Sequence, residues 1–252
     1  LQTLVKWKQP AIFSELEDLI SGDKDSISSF LAAPVELKTN KVYPIENYGS
    51  SMAPFYSTLS IWIGGIVLVA MLKVTVSENG TTGLKHLKLH QIYLGRYLIF
   101  LILGLLQSTL ICLGDLFYLG IQCRHPFLFL LAGWISSIVY VNIIYTLTVS
   151  FGDIGKAISV VLLVMQVAGT GGTFPIEVAG ILQSGISATA VYPQYGSLRE
   201  AVGGLYGMDY WIDLGKLCIF LMVSLIVGLV LRKPIIKVNE AFSEKLEETK
   251  IM

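Results

Sequence analysis

Long uncharged stretches alternate with short polar ones along most of this chain. The apolar runs 53–72, 97–114, 127–149, 157–168 and 214–231 stand out, and the fourth continues into a glycine-rich stretch. A helix rises about 1.5 Å per residue, so roughly 20 apolar residues match the hydrocarbon thickness of a bilayer. The pattern predicts an all-α integral membrane protein with about five transmembrane helices. The spans are expected at about 53–72, 97–118, 127–149, from 157 onward, and 214–231.

Residues 1–50 follow a different rule. Ile12, Phe13, Leu16, Leu19 and Ile20 recur at helical spacing with Glu15, Glu17 and Asp18 between them, which predicts a short amphipathic helix. Pro34 and Pro44 favour extended chain before them. The segment is too small to bury a core alone and reads as the end of an external domain or stalk. The chain opens at Leu1 without a signal peptide, so it reads as the C-terminal piece of a longer protein. The expected organisation is a stub over 1–50, a membrane domain over 51–231 and a charged tail over 232–252.

Between the fourth and last runs the pattern breaks. Gly169, Gly171, Gly172 and Pro175 interrupt helix, and 176–192 is apolar but broken by Glu177, Gly180, Gln183 and Gly185. Irregular backbone at membrane depth is tolerated only against protein or water. A re-entrant external hairpin before the last span is therefore expected, rather than another crossing.

Composition agrees with the spans. Hydrophobic residues make up 54% and charged residues 14%, against about 25% charged in a soluble domain. Mean hydropathy is +0.67. The formal net charge is zero, which gives no reason to expect a nucleic-acid partner. Basic residues decide orientation. Lys73, Lys85, Lys88, Arg96 and Lys156 fall in the two loops on the tail's side, whereas the opposite loops offer mainly Arg124, Arg199 and Lys216. This places the tail in the cytoplasm of a bacterial cell and the N-terminal stub outside. The 73–96 loop interleaves Leu84, Leu87 and Leu89 with Lys85, Lys88 and histidines, as a helix lying on the inner membrane surface or a docking site for a cytoplasmic partner would.

Motifs exclude more than they assign. Gly80-Thr-Thr-Gly-Leu-Lys lacks Walker spacing, so the chain carries no recognisable ATPase. No nucleophile–base pair, zinc-protease motif or metal-ligand spacing occurs among Cys112, Cys123, Cys218, His86, His90 and His125. An enzyme, a metal site and a cofactor are not expected. The candidate path or gate residues are Asp115, Gln107, Gln166, Glu177, Arg199 and Glu200. A carboxylate within a span marks a functional site by default. Asp115 reads either as that or as an interfacial residue beside Arg124 or Arg199. Gln107 and Gln166 suit interhelical hydrogen bonds. Arg199 and Glu200 suit a local charge pair or a gate. Lys85, Lys88, Asp153 and Lys156 mark the cytoplasmic loops.

Several stretches together resemble the YhgE/Pip (phage infection protein) family. They are Lys41-Val-Tyr-Pro-Ile-Glu-Asn-Tyr-Gly-Ser-Ser-Met-Ala-Pro-Phe-Tyr56, Leu113-Gly-Asp-Leu-Phe-Tyr-Leu-Gly120, Phe151-Gly-Asp-Ile-Gly-Lys-Ala157, Gln166-Val-Ala-Gly-Thr-Gly-Gly-Thr-Phe-Pro-Ile176 and Leu198-Arg-Glu-Ala-Val-Gly-Gly204. The resemblance runs from about residue 30 to the end. One departure is the Ala/Thr-rich stretch 186–195, where the family carries a Pro-Phe-rich one. The family's membrane domain is similar to type-2 ABC exporter permeases. This implies an export or secretion permease with a lipid, peptide or protein substrate, working in the bilayer as a homodimer or hetero-oligomer. It also implies a separate ATPase subunit or secretion components. The alternative it carries is a non-transporting surface or type VII secretion scaffold that can serve as a phage receptor.

Overall fold

The structure, a computed structural model, describes residues 45–74, 88–169 and 190–231. The chain divides at Val42/Tyr43, and every described residue belongs to the second unit, Tyr43–Met252. The expected amphipathic helix near 12–20, Lys85, Gly171, Gly172, Pro175, Glu177 and the tail lie outside the described residues.

Six helices and no strand occur among the described residues. They are α1 (Tyr48–Met71), α2 (Leu89–Leu113, continued by a π-helical turn Gly114–Tyr118), α3 (Pro126–Phe151), α4 (Asp153–Gly169), α5 (Val191–Gly203) and α6 (Asp209–Ile226, continued by a π-helical turn Val227–Leu231). Four stretches are long and apolar enough to cross a membrane: Tyr48–Met71, His90–Tyr118, Pro126–Phe151 and Asp209–Val230, with mean hydropathies of 1.6, 2.1, 2.1 and 2.2. The fourth expected span corresponds to α4, whose 17 residues fall just short of a full crossing.

Local chemistry sets the ends. Asn47 caps α1, its side-chain oxygen accepting from Ser50 N at 2.7 Å. Lys88 N donates to the Gln91 side chain at 3.0 Å, so α2 begins at Leu89 rather than near 97. The correction moves His90 and Arg96 from the loop into the helix. The reason is a cap that apolar counting does not register: Arg96 keeps its charge at the surface by donating from Nε to Lys73 O at 2.8 Å. Pro126 opens α3, where a missing N–H costs nothing. Gly152, at φ 61°, lets α3 turn directly into α4. In α4, Gly155 lies so close to α3 that a Cβ would stand 2.1 Å from Leu147 O. α6 begins at Asp209, five residues before the apolar run starts, and so takes in Asp209 and Asp213.

α3 is the central element. Its buried residues lie all round the helix, from Phe129 to Ser150. Trp62 of α1 meets Tyr140 of α3 edge-to-face at 4.7 Å and donates from its indole N–H to Ser159 O of α4 at 3.2 Å. Tyr93, Tyr97 and Phe100 of α2 pack around Tyr145 with ring centroids 5.1–5.7 Å apart.

α5 is a half-length helix, and the sequence did not announce it. The Tyr140 hydroxyl, about 21 Å along α3 from Pro126 by helix rise, donates to Ala190 O at 3.5 Å. At the other end of α5, Arg124 N donates to Val202 O at 3.1 Å and His125 N to Ala201 O at 3.0 Å. α5 thus runs from the middle of the bundle back to the end at which α3 starts. It is also the most polar of the helices: Gln194, Ser197 and Glu200 are buried on it.

Candidate functional site

Two groups of polar side chains lie inside this bundle. The first sits at the end shared by the start of α1, the π-helical turn of α2, the start of α3 and the close of α5. Here Ser57 Oγ of α1 meets Asp115 Oδ2 at 2.5 Å and also lies 2.7 Å from Ala53 O. Asp115 therefore finds its partner in a hydroxyl on the facing helix. Neither Arg124 nor Arg199, expected as its partners, is in a described ion pair with it. The Arg124 side chain instead lies against Gly204, where a Cβ would stand 2.9 Å from Nη1, and that residue's φ of +119° already favours glycine.

The 121–125 loop ties this end together. Glu46 N donates to Gln122 Oε1 at 3.0 Å, and Gln122 N to Ser50 Oγ at 2.8 Å, which holds the entry of α1. Cys123 Sγ approaches Ala201 O at 3.4 Å, next to the two backbone bonds onto α5. Burial pushes the Cys123 thiol above its ordinary range. Glu200 is only 2% exposed and accepts from Tyr206 N at 3.2 Å. Arg199 is exposed and lies 5.6 Å over the Tyr195 ring. Asp213 packs on Gly196 of α5, where a Cβ would meet its Oδ2 at 2.2 Å, and accepts from Lys216 Nζ at 2.7 Å.

The second group runs along α3. Tyr93 OH and Thr146 Oγ1 are 2.7 Å apart, Ser224 Oγ donates to Thr146 Oγ1 at 3.3 Å, and Asn142 Nδ2 reaches Tyr93 OH at 3.4 Å. This joins α2, α3 and α6. Gly228 makes room for it, since a Cβ there would lie 2.6 Å from Tyr93 OH. Ser136, Asn142, Thr146 and Ser150 fall within an arc of roughly 120° on α3 and span about 21 Å along it. All four are buried, yet among the described residues Ser136 Oγ, Asn142 Oδ1 and Ser150 Oγ have no hydrogen-bond partner. Both amide atoms of Gln194 on α5 are equally without one, at 0% exposure. A buried polar atom left unpaired costs about 1–3 kcal/mol. Such atoms are kept where water, a substrate or a second conformation satisfies them.

The sequence candidates therefore separate. Asp115 and Glu200 belong to the first group. Gln107 lies on the flank between α1 and α2, against Gly64, away from the α3 file. Gln166 and Gly169 lie in the last turns of α4, and their side chains are outside the described residues. Asp153 and Lys156 pair at 2.8 Å at the α3–α4 turn, which holds the fully exposed Asp153 carboxyl below its usual range. Lys88 caps α2 at the same end. Sequence reading passed over Ser57, Asn142, Thr146, Gln194 and Ser224. The signal open to it was polar residues at spacings of four and eight on an otherwise apolar α3.

Polar atoms strung inside a bundle of apolar helices are what a membrane transport protein carries, and comparison with known proteins agrees. The profile described as ABC-2 family transporter protein matches residues 8–230. The chain belongs to the ABC-2 transporter family. It is also similar to the uncharacterized protein YhgE of Bacillus subtilis (strain 168), 25% identical over 154 residues, which are 61% of this chain and 19% of that relative. The chain thus spans about a fifth of the relative that it matches. It is a YhgE/Pip-like ABC-2 permease domain, and that family is one of membrane transport components. No solved structure matches it.

Proposed function

We propose that this ABC-2 domain is the permease part of a bacterial export or secretion system and moves its substrate along the polar face of α3. The observation that carries the reading is the file of buried, partly unpaired polar atoms from Ser136 to Ser150, with Gln194 of α5 beside the same bundle core. A purely structural core would be more stable with apolar residues there. Polar atoms without partners are ready to bind water or substrate once the helices part. The substrate class is a lipid, peptide or protein, and the energy comes from a separate ATPase subunit, as the ABC-2 family implies.

The finer architecture belongs to the same proposal. α4 and its continuation form a fifth crossing. The half-length α5 is the returning arm of a re-entrant external hairpin, a reading supported by its start at the depth of Tyr140 and its finish at His125. Residues 1–50 are an external stub and 232–252 a cytoplasmic tail. The end bearing Lys73, Lys88, Arg96 and Lys156 faces the cytoplasm, in keeping with the bias of basic residues. Asp115, Glu200 and Arg199 act at the outer mouth of the path. Gly169, Gly171, Gly172 and Pro175 form the break before the hairpin.

The experiment is to purify the full-length protein from its native membranes and assay for bound ATP hydrolysis. Asn142→Leu and Thr146→Val are carried alongside. An ATP-hydrolysing partner whose turnover is stimulated by the parent protein, and far less by the two variants, supports export. Secretion components recovered without an ATPase, with both variants indistinguishable from the parent, would instead favour a scaffold.

A further inference from the structure

The unpaired atoms inside the bundle have a chemistry of their own. They are the amide oxygens Asn142 Oδ1 and Gln194 Oε1, the amide nitrogen Gln194 Nε2 and the hydroxyls of Ser136 and Ser150, none with a hydrogen-bond partner among the described residues. Ser136, Asn142 and Gln194 are at 0% exposure. Two of these sites share a level. Tyr140 OH meets Ala190 O between α3 and α5. Ser136 lies one turn before Tyr140, and Gln194 one turn after Ala190. Because α5 runs back along α3, both turns lead the same way, and Ser136 and Gln194 stand at about the same depth on the two helices. Asn142 and Ser150 continue the polar face of α3 from there, over about 21 Å. Asn142 Nδ2 is held by Tyr93 OH at 3.4 Å, which leaves Oδ1 as the free end of that amide.

Asn142 Oδ1 and Gln194 Oε1 accept and cannot donate, so whatever satisfies them must supply hydrogens. Phosphate and ester oxygens supply none. A lipid is also polar at one end only, whereas these sites extend over about two-thirds of the hydrocarbon thickness. An anionic ligand needs cations, yet the buried polar side chains among the described residues include no Lys or Arg, and the one buried acid, Glu200, has the wrong sign. Gln194 Nε2 and the serine hydroxyls need acceptors in turn. A peptide main chain answers both needs, because every residue except proline carries one donor and one acceptor. In an extended segment the N–H and C=O of one residue point to the same side, as they do in a strand pair that exchanges two bonds. A carboxamide with both Nε2 and Oε1 free matches that pair. At about 3.4 Å per residue, roughly six extended residues cover the face.

We infer that the substrate of this domain is an extended peptide segment, read through its main chain by Gln194 of α5 and by Ser136, Asn142 and Ser150 of α3. Gln194 pairs with the N–H and C=O of one residue, and Asn142 Oδ1 accepts from the N–H of another. Ser136 and Ser150 donate to carbonyls at the two ends of the face. The contact is made when α5 parts from α3, since in the closed bundle these atoms are shut away. Recognition of this kind is indifferent to side chains and sensitive to the loss of main-chain N–H groups. The inference rests on the permease reading and narrows its substrate class to peptides.

The test is photolabelling of the full-length protein in native membrane fragments supplied with ATP. The probe is a blocked hexapeptide of alternating alanine and serine that carries a terminal benzophenone. Its backbone N-methylated form, a neutral glucan hexamer and a phospholipid, each with the same benzophenone, are run beside it. The hexapeptide should label the chain, and N-methylation should reduce labelling roughly tenfold, because a methyl group removes the hydrogen that Oε1 and Oδ1 accept. In Gln194→Leu and Asn142→Leu the hexapeptide should label less, and the difference between the two peptides should shrink, which a merely structural role would not produce. The unfolding midpoint of each variant separates lost recognition from lost fold. Equal labelling by the two peptides, labelling that neither variant reduces, or no labelling of the parent would overturn the main-chain reading. Preferential labelling by the glucan or the phospholipid would overturn the peptide class and leave the permease reading standing. Selective peptide labelling that needs no ATP, with no ATPase recovered, would retain this site and sink the permease reading instead.

Discussion

Ser57 and Asp115 meet at 2.5 Å between α1 and the π-helical turn that closes α2. The widened turn carries the carboxyl onto the neighbouring helix, and this is the only described hydrogen bond between the side chains of those two helices. Interhelical bonds of this kind are worth about 0.6 kcal/mol on average and up to about 1.7 kcal/mol in membrane proteins. Asp115→Asn keeps an acceptor for Ser57 and is expected to insert and unfold like the parent. Ser57→Ala and Asp115→Leu should each lose about 1 kcal/mol, and the double variant should lose no more than either. Unfolding by graded SDS in mixed micelles reads this directly. Additive losses would show that the two side chains act independently.

The α3–α4 turn gives a sharper steric test. A Cβ on Gly155 would stand 2.1 Å from Leu147 O and 2.5 Å from Leu147 C, which are backbone atoms that cannot swing aside. Gly95, on α2, has nothing within 4 Å of the same position. Gly155→Ala is therefore expected to destabilise by about 3 kcal/mol, at the upper end of overpacking costs. Gly95→Ala should be neutral, or stabilising by up to about 1 kcal/mol, because alanine favours helix. Expression and unfolding midpoint, compared in one membrane preparation, distinguish the two; equal behaviour would mean that α4 does not pack on α3 as described.

The apolar spans were legible because hydrocarbon thickness imposes a length that composition alone reveals. The runs at 53–72 and 127–149 match Tyr48–Met71 and Pro126–Phe151 to within a residue or two at their C-terminal ends. What stayed hidden depended on partners. The start of α2 was set by Gln91 reaching back to Lys88, and that of α6 lies at Asp209, among charges that apolar counting excludes. α5 was missed because Gln194, Ser197, Arg199 and Glu200 make it too polar to read as a membrane element. Its partners come from distant parts of the chain: α3, the 121–125 loop and Asp213 of α6. Asp115 lies within the apolar stretch His90–Tyr118, but its partner is 58 residues away in sequence, and no spacing rule connects the two.

The proposed orientation can be checked one residue at a time. Cysteines introduced at Lys88 and Asp153 should react with a membrane-impermeant maleimide only after permeabilisation. Those at Tyr118 and Tyr206, at the opposite end, should react in intact cells. All four positions are exposed, so a silent position reports the side of the membrane rather than burial. The reverse pattern would invert the topology and place Asp115 and Glu200 at the cytoplasmic mouth.

Gln194 gives the most direct test of whether the buried polar atoms serve function. Its amide is at 0% exposure with neither atom bonded, on the half-length helix that starts at mid-depth. Gln194→Leu replaces it with a side chain of similar volume that needs no partner. If the closed bundle is as described, the substitution removes an unpaired polar group and should leave the protein as stable as the parent, or more stable by about 1–3 kcal/mol. The same change removes whatever the amide binds when α5 moves, so the export or secretion phenotype should fall. Unfolding midpoint and phenotype are therefore expected to move in opposite directions. A loss of stability would show that Gln194 already has a partner in the native membrane. Unchanged stability with full phenotype would take α5 out of the path and leave the file on α3 as the place to look.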